Sequence, residues 1–197
     1  MNNRKIWFIL AGLAALVAAF LLLNFHAAYS NTQAETNVVT VSSGDTLPDA
    51  MQQREKITLY ITGESPLIEA LEQSITVEIG KAGLGEVEVV RELATDYPNP
   101  VLVIDGGRPG VLWTPVYGSG SFPVSAWFVS NGDTTVIDAE SVGFDNSDGP
   151  GVVMEADYKV SDRSYGIMSR PGYYQALADW LANSIIETVR KLYEPKL

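Results

Sequence analysis

The chain has 197 residues, 46% of them hydrophobic, with 24 acidic side chains against 13 basic ones and no cysteine. Without cysteine there are no disulfides, thiolate metal sites, thiol nucleophile or lipid-modified N-terminal cysteine. Arg4 and Lys5 are the only charged residues before Glu35, so the chain beyond residue 30 carries 11 basic and 24 acidic residues, a net −13. A surface that negative repels nucleic acid and anionic headgroups, because phosphate binding depends on clustered Lys and Arg.

The first thirty residues read as a transmembrane anchor or signal segment. Asn2-Asn3-Arg4-Lys5 precede eighteen uncharged, almost wholly apolar residues, Ile6 to Leu23. As a helix this run is about 27 Å long, close to the thickness of a bilayer's hydrocarbon core. Trp7 and Phe8 stand at one end, and Phe25, His26 and Tyr29 at the other, as in an aromatic belt. The basic N-terminal flank places that end in the cytoplasm and the bulk of the chain outside, as a single-pass membrane protein with the bilayer as partner of residues 6–23. Small residues in Ala28-Tyr29-Ser30 and Thr32-Gln33-Ala34 offer the alternative of cleavage and secretion.

Residues 31–55 are rich in Asn, Thr, Ser, Gln, Asp and Glu and are expected to form a polar tether, with the extracytoplasmic domain at 56–197. Ile57, Leu59 and Ile61 alternate with Thr58, Tyr60 and Thr62 as in a strand. Ser65-Pro66 opens a helix, with Ser as N-cap and Pro at the first position. Leu67, Ile68, Leu71, Ile75 and Ile79 carry its apolar stripe, and Gly80 to Gly83 ends it. Val87–Val90 and Val101–Ile104 are expected strands, the second a buried central one.

Further strands are expected at Val111–Tyr117 and Val124–Ser130, separated by a flexible Gly118-Ser119-Gly120-Ser121. Asn131-Gly132 predicts a hairpin returning through Thr134–Ile137. Met154, Ala156, Tyr158 and Val160 alternate with polar residues, and a final helix carries Tyr174, Leu177, Leu181, Ile185, Val189 and Leu192 on one stripe. The order predicts an α/β two-layer sandwich: a mostly antiparallel sheet of about six or seven strands with both helices on one face, preceded by the N-terminal transmembrane helix. On this reading residues 55–197 fold alone.

No catalytic group emerges. Ser65 lies between strand and helix as in a nucleophile elbow, but Leu67 replaces the closing glycine and the chain's one histidine is His26, so Ser65 reads as a cap. Asp145-Asn146-Ser147-Asp148-Gly149 with Glu155 has some calcium-loop character, but Phe144 occupies the first ligand position, so a polar turn is expected and no metal. Asp105 to Gly110 is glycine-rich without a helix behind it and reads as a turn. Trp113 and Tyr117 read as core rather than a sugar-stacking platform. No cofactor is implied.

Val39-Thr40-Val41-Ser42-Ser43-Gly44-Asp45-Thr46-Leu47 resembles the opening of a LysM peptidoglycan-binding module, in which a strand leads into Gly-Asp-Thr-Leu and a helix. That resemblance implies contact with peptidoglycan, but the module's closing strand is absent and no binding residue is carried over.

The segment Asp162–Tyr174 is expected as a thirteen-residue loop, long for a simple connection in a compact domain. It carries Arg163, Tyr165, Arg170 and Tyr173, residue types enriched at binding hot spots, and feeds the last helix's N-terminus. These four are the expected binding residues. The function expected is a membrane-anchored, non-enzymatic binding or scaffolding domain with an envelope protein or glycan as partner. The alternatives are an extracytoplasmic hydrolase using Asp and Glu carboxylates, or a peptidoglycan-contacting envelope protein.

Overall fold

The computed structural model describes residues 3–43, 56–137 and 151–193. In chain order the elements are α1 (Asn3–Leu22), β1 (His26–Ser43), β2 (Lys56–Thr62), α2 (Pro66–Ala82), β3 (Glu86–Val90), β4 (Val101–Gly106), β5 (Gly110–Thr114), β6 (Tyr117–Val129), a 3₁₀ turn (Thr134–Ile137), β7 (Gly151–Met168) and α3 (Arg170–Tyr193). The strands form one seven-stranded sheet in the order β1-β7-β6-β4-β2-β3, with β5 paired to β6.

The sheet is mixed, not mostly antiparallel as expected. The β2–α2–β3 crossover makes β3 parallel to β2, and β4 joins β2's other side, also parallel. The pairs β4–β6, β5–β6, β6–β7 and β1–β7 are antiparallel.

Both α2 and α3 cover the same face, as expected. Ser65 caps α2, its hydroxyl accepting from the Ile68 N–H at 3.2 Å, and Gly83 closes the helix in the left-handed region at φ 68. Leu67, Leu71, Ile75 and Ile79 of α2, with Leu177, Leu181, Ile185 and Val189 of α3, pack against Ile57, Leu59, Leu102, Ile104, Phe128, Tyr158 and Val160. Burying each such side chain contributes roughly 1.5–3 kcal/mol. Among the described residues no helix covers the opposite face. At one end the 3₁₀ turn covers it, its Val136 packing on Val129 and Val153; toward β1, β5 and the start of β6 its side chains are largely exposed.

Several expectations are corrected. Residues 26–43, partly assigned to a tether, form β1, in register with β7 from His26↔Met168 to Ser43↔Gly151. Its residues are almost all exposed, so no hydrophobic alternation announces it; pairing with β7 makes it a strand. Gly118 to Ser121 lie inside β6 rather than separating two strands. A Cβ on Gly118 would stand 2.7 Å from the Tyr173 ring, and one on Gly120 would stand 3.1 Å from the Tyr173 hydroxyl. The glycines make room for a core aromatic.

Gly132 does turn the chain, at φ 87, but Thr134–Ile137 is a 3₁₀ turn rather than a returning strand. Asp133 caps it, accepting from the Thr135 N–H and hydroxyl, a local bond that competes with strand pairing. The Asp145–Gly149 turn lies outside the described residues.

The expected transmembrane helix is not supported: among the described residues no helix is long and apolar enough to cross a membrane. Most of α1's apolar side chains, from Trp7 to Leu22, are exposed.

Candidate binding face

The proposed loop 162–174 does not exist. Asp162–Met168 completes β7, and α3 begins at Arg170. Strand alternation therefore divides the expected site residues between faces. Arg163 and Tyr165 project from the open face and are exposed, whereas Tyr173 is fully buried against the helix-side core. Arg170 is exposed at the first position of α3, its guanidinium Nε donating to the Tyr174 hydroxyl at 3.0 Å and its carbon 5.3 Å above that ring. Tyr173 is therefore corrected from a contact residue to a core residue.

The Tyr173 ring lies under Gly118 and Gly120 and stacks near His26, with centroids 6.5 Å apart. Its hydroxyl has no hydrogen-bond partner. Burial pushes its pKa well above the ordinary value, and the nearby Asp162 carboxylate adds to the shift. Asp162 is the one buried carboxylate among the described residues. Thr32 and Ser164 each donate to it at 2.8 Å, and Ser30 and Ser164 share a further bond at 2.8 Å. A carboxylate so occupied fixes β1 to β7 and offers no free acid or base.

The open face gathers what the sequence left scattered. Registers bring Tyr29 of β1, Tyr165 of β7 and Tyr117 of β6 into one cross-strand row. The Tyr117 and Tyr165 rings meet at 5.2 Å. The next row is Asn31, Arg163, Ser119 and Leu112, and the one after is Gln33, Ser161, Ser121 and Gly110. All of these but Leu112 line a shallow trough of about 470 Å³. On the α1 side of the tyrosines, Ile167 pairs with Ala27. Tyr29 is 76% exposed, Leu112 60%, and Tyr165 and Ile167 57% each. Of this face only Tyr165 and Arg163 were expected to bind; Tyr29 was read as part of an aromatic belt and Tyr117 as core, and the rows exist only once β1, β6 and β7 are paired. Trp113 packs on the core as expected, while Tyr117, beyond the Pro115-Val116 turn, is half-buried on the open face.

The junction of α1 with the sheet is also built. Ser169 lies across from Phe25: its N–H donates to the Phe25 carbonyl at 2.9 Å, and its hydroxyl accepts from the Phe25 N–H at 2.9 Å. The same hydroxyl accepts from the Gly172 N–H at 3.0 Å, the bond an N-cap makes to the first turn of a helix. A Cβ on Gly172 would stand 2.1 Å from the Phe25 carbonyl oxygen, so this contact requires glycine. Only three residues separate α1 from β1, and one of them is bonded to the start of α3.

Among the described residues no group of histidine and carboxylate side chains could hold a metal ion. Val39–Ser43, the strand part of the LysM-like segment, is the last stretch of β1, and β2, the next described element, is central to a different sheet order; residues 44–47 lie outside the described ones.

No protein-family model matches the chain, and no curated protein matches it. Among solved structures it is similar to a PelC dodecamer from Paraburkholderia phytofirmans, at 14% identity and a TM-score of 0.46, covering 79% of this chain and 98% of that one. It is also similar to a minor lipoprotein from Acinetobacter baumannii, at 15% identity and a TM-score of 0.32, covering 73% and 98% respectively.

Proposed function

We propose that this chain is a membrane-held domain of the cell envelope that binds or scaffolds a partner rather than catalysing a reaction. The bilayer is the partner of residues 6–23, and the sheet domain stands on the membrane's outer surface. Arg163 and Tyr165 contact the domain's partner on the open face, and Arg170 serves at the junction with α1.

The observation carrying this reading is the exposed apolar side of α1, joined without a flexible linker to a sheet whose first residues are integral to the fold. Trp7, Phe8, Ile9, Leu10, Leu13, Leu16, Val17, Leu21 and Leu22 are all exposed, far more apolar surface than a monomer leaves in water. Removal of the segment by cleavage would have to fall near Ala28-Tyr29-Ser30 or Thr32-Gln33-Ala34. Both lie in β1, paired with β7. Cleavage at the second site would take Phe25 from Ser169 and the Thr32 hydroxyl from the buried Asp162, leaving buried polar groups unpaired at roughly 1–3 kcal/mol each. The fold thus supports retention.

The test is fractionation of the full-length chain from its native membranes. It is expected in the pellet after carbonate washing, with an intact mass that includes residues 6–23. A soluble product beginning near Asn31 or Glu35 would sink the reading.

A further inference from the structure

The exposed apolar side chains of the sheet domain are not scattered. Among the described residues, apart from α1 and Leu23, the large ones are Tyr29, Val38, Val39, Val77, Leu93, Leu112, Val116, Tyr165 and Ile167. Tyr29, Tyr165, Ile167 and Leu112 share the open face at its α1 end. Val116 is beside them, its carbonyl accepting from the Gly166 N–H at 3.1 Å. Tyr29 is three residues along β1 from His26, about 10 Å from the junction. The corner thus stands close along the chain to the end of α1, where Leu22 and Leu23 are exposed.

Charge sets the same corner apart. The domain is strongly acidic, yet the rows nearest α1 carry no acidic side chain on the open face: Ala27 and Ile167, then the three tyrosines, then Asn31, Arg163, Ser119 and Leu112, then Gln33, Ser161 and Ser121. The first acid is Glu35, opposite Lys159. Asp162 belongs to the buried network on the other face. In this corner Arg163 faces out with no acidic side chain beside it in the rows, whereas the domain as a whole is acidic and opposes approach to phosphate-bearing groups.

Tyrosine has an apolar ring and a polar tip, and it is enriched where hydrocarbon meets water. We propose that the corner formed by Tyr29, Tyr117, Tyr165, Ile167, Val116 and Leu112 seats in the headgroup layer of the bilayer that holds α1, with Arg163 at its phosphates. The proposal rests on the membrane-held reading and names the partner of the open face's upper rows as lipid. The Phe25–Ser169 clamp supplies the geometry, because it fixes the domain's attitude relative to α1 instead of letting it swing.

The chain's lack of cysteine permits a direct test. Ile167→Cys and Leu112→Cys, with Val77→Cys on α2 as control, are each made in the full-length chain, nitroxide-labelled and reconstituted into phosphatidylcholine vesicles. Collision with dissolved oxygen and with a water-soluble nickel chelate present on both sides is then measured. Labels at 167 and 112 are expected to meet the chelate severalfold less often than the label at 77. Equal chelate access at all three positions, with the chain still bound to vesicles, overturns the proposal and leaves the membrane-held reading standing. Failure of the chain to bind vesicles overturns both. Protection that appears only on adding soluble peptidoglycan fragments makes a glycan the occupant and also overturns it.

Discussion

The sheet has two halves built by different rules. The half made of β2, β3 and β4 uses strands of seven, five and six residues, bounded by glycines and prolines and joined through α2. The half made of β1, β7 and β6 uses strands of eighteen, eighteen and thirteen residues. The first half buries its residues against a helix adjacent in the chain, so Ile57, Leu59, Leu71 and Ile75 report their faces through local periodicity. The second half depends on partners far away in sequence. Tyr173 explains Gly118 and Gly120; β7 explains β1; nothing nearby explains either.

The largest effect should therefore come from removing β1. A chain beginning at Asn24 keeps the Phe25–Ser169 clamp and the whole sheet, and should unfold cooperatively. One beginning at residue 55 loses eighteen paired positions and exposes the edge of β7, an aggregation-prone template. It also strips Asp162 of Thr32. That shorter chain should elute as aggregate or unfold without a cooperative transition, the opposite of the sequence-based expectation that residues 55–197 fold alone. A well-behaved monomer would show β1 to be an appendage and the contrast between the halves to be superficial.

A smaller effect separates the two faces. Leu181 is fully buried between α3 and the sheet, so Leu181→Ala should cost about 2–5 kcal/mol in denaturant unfolding. Leu112, on the open face, should cost less than about 0.5 kcal/mol when cut to Ala, like other surface substitutions. Similar losses at both positions would mean the open face is covered within the chain itself.

The sequence was informative where side-chain chemistry acts on its own neighbours. The Ser65 cap, the Gly83 stop, the stripe of α3 and the apolar run of β4 were legible for that reason. It was misleading where the same composition serves two structures. A serine- and threonine-rich run reads as a tether, yet in β1 those side chains bond across strands, as Ser30 and Thr32 do with Ser164 and Asp162. Arg163, Tyr165, Arg170 and Tyr173 looked like one loop cluster because they are close in sequence. Alternation along β7 and the start of α3 sends them to different places, and only Arg163 and Tyr165 remain together. The third member of their row, Tyr29, belongs to a segment whose role depends entirely on pairing.

The smallest effect concerns pH and centres on Tyr173, packed against the half made of β1, β7 and β6. Burial holds its hydroxyl neutral and raises its pKa above the ordinary 10.0, with Asp162 reinforcing the shift; burial acts in the same direction on Tyr158. An unfolded chain ionises both near pH 10, and the folded chain resists. Stability from these groups is therefore complete below the unfolded value and declines as pH rises past it toward the folded ones. Tyr173→Phe removes one such group along with a hydroxyl that has no partner. At neutral pH the variant should match or slightly exceed the wild type in denaturant midpoint. Between about pH 10 and pH 11.5 its midpoint should fall less steeply, leaving a residual slope from Tyr158. Parallel curves for the two proteins across that range would show that Tyr173 ionises as freely in the fold as outside it. The glycine-lined seat between β6 and α3 would then be open to water.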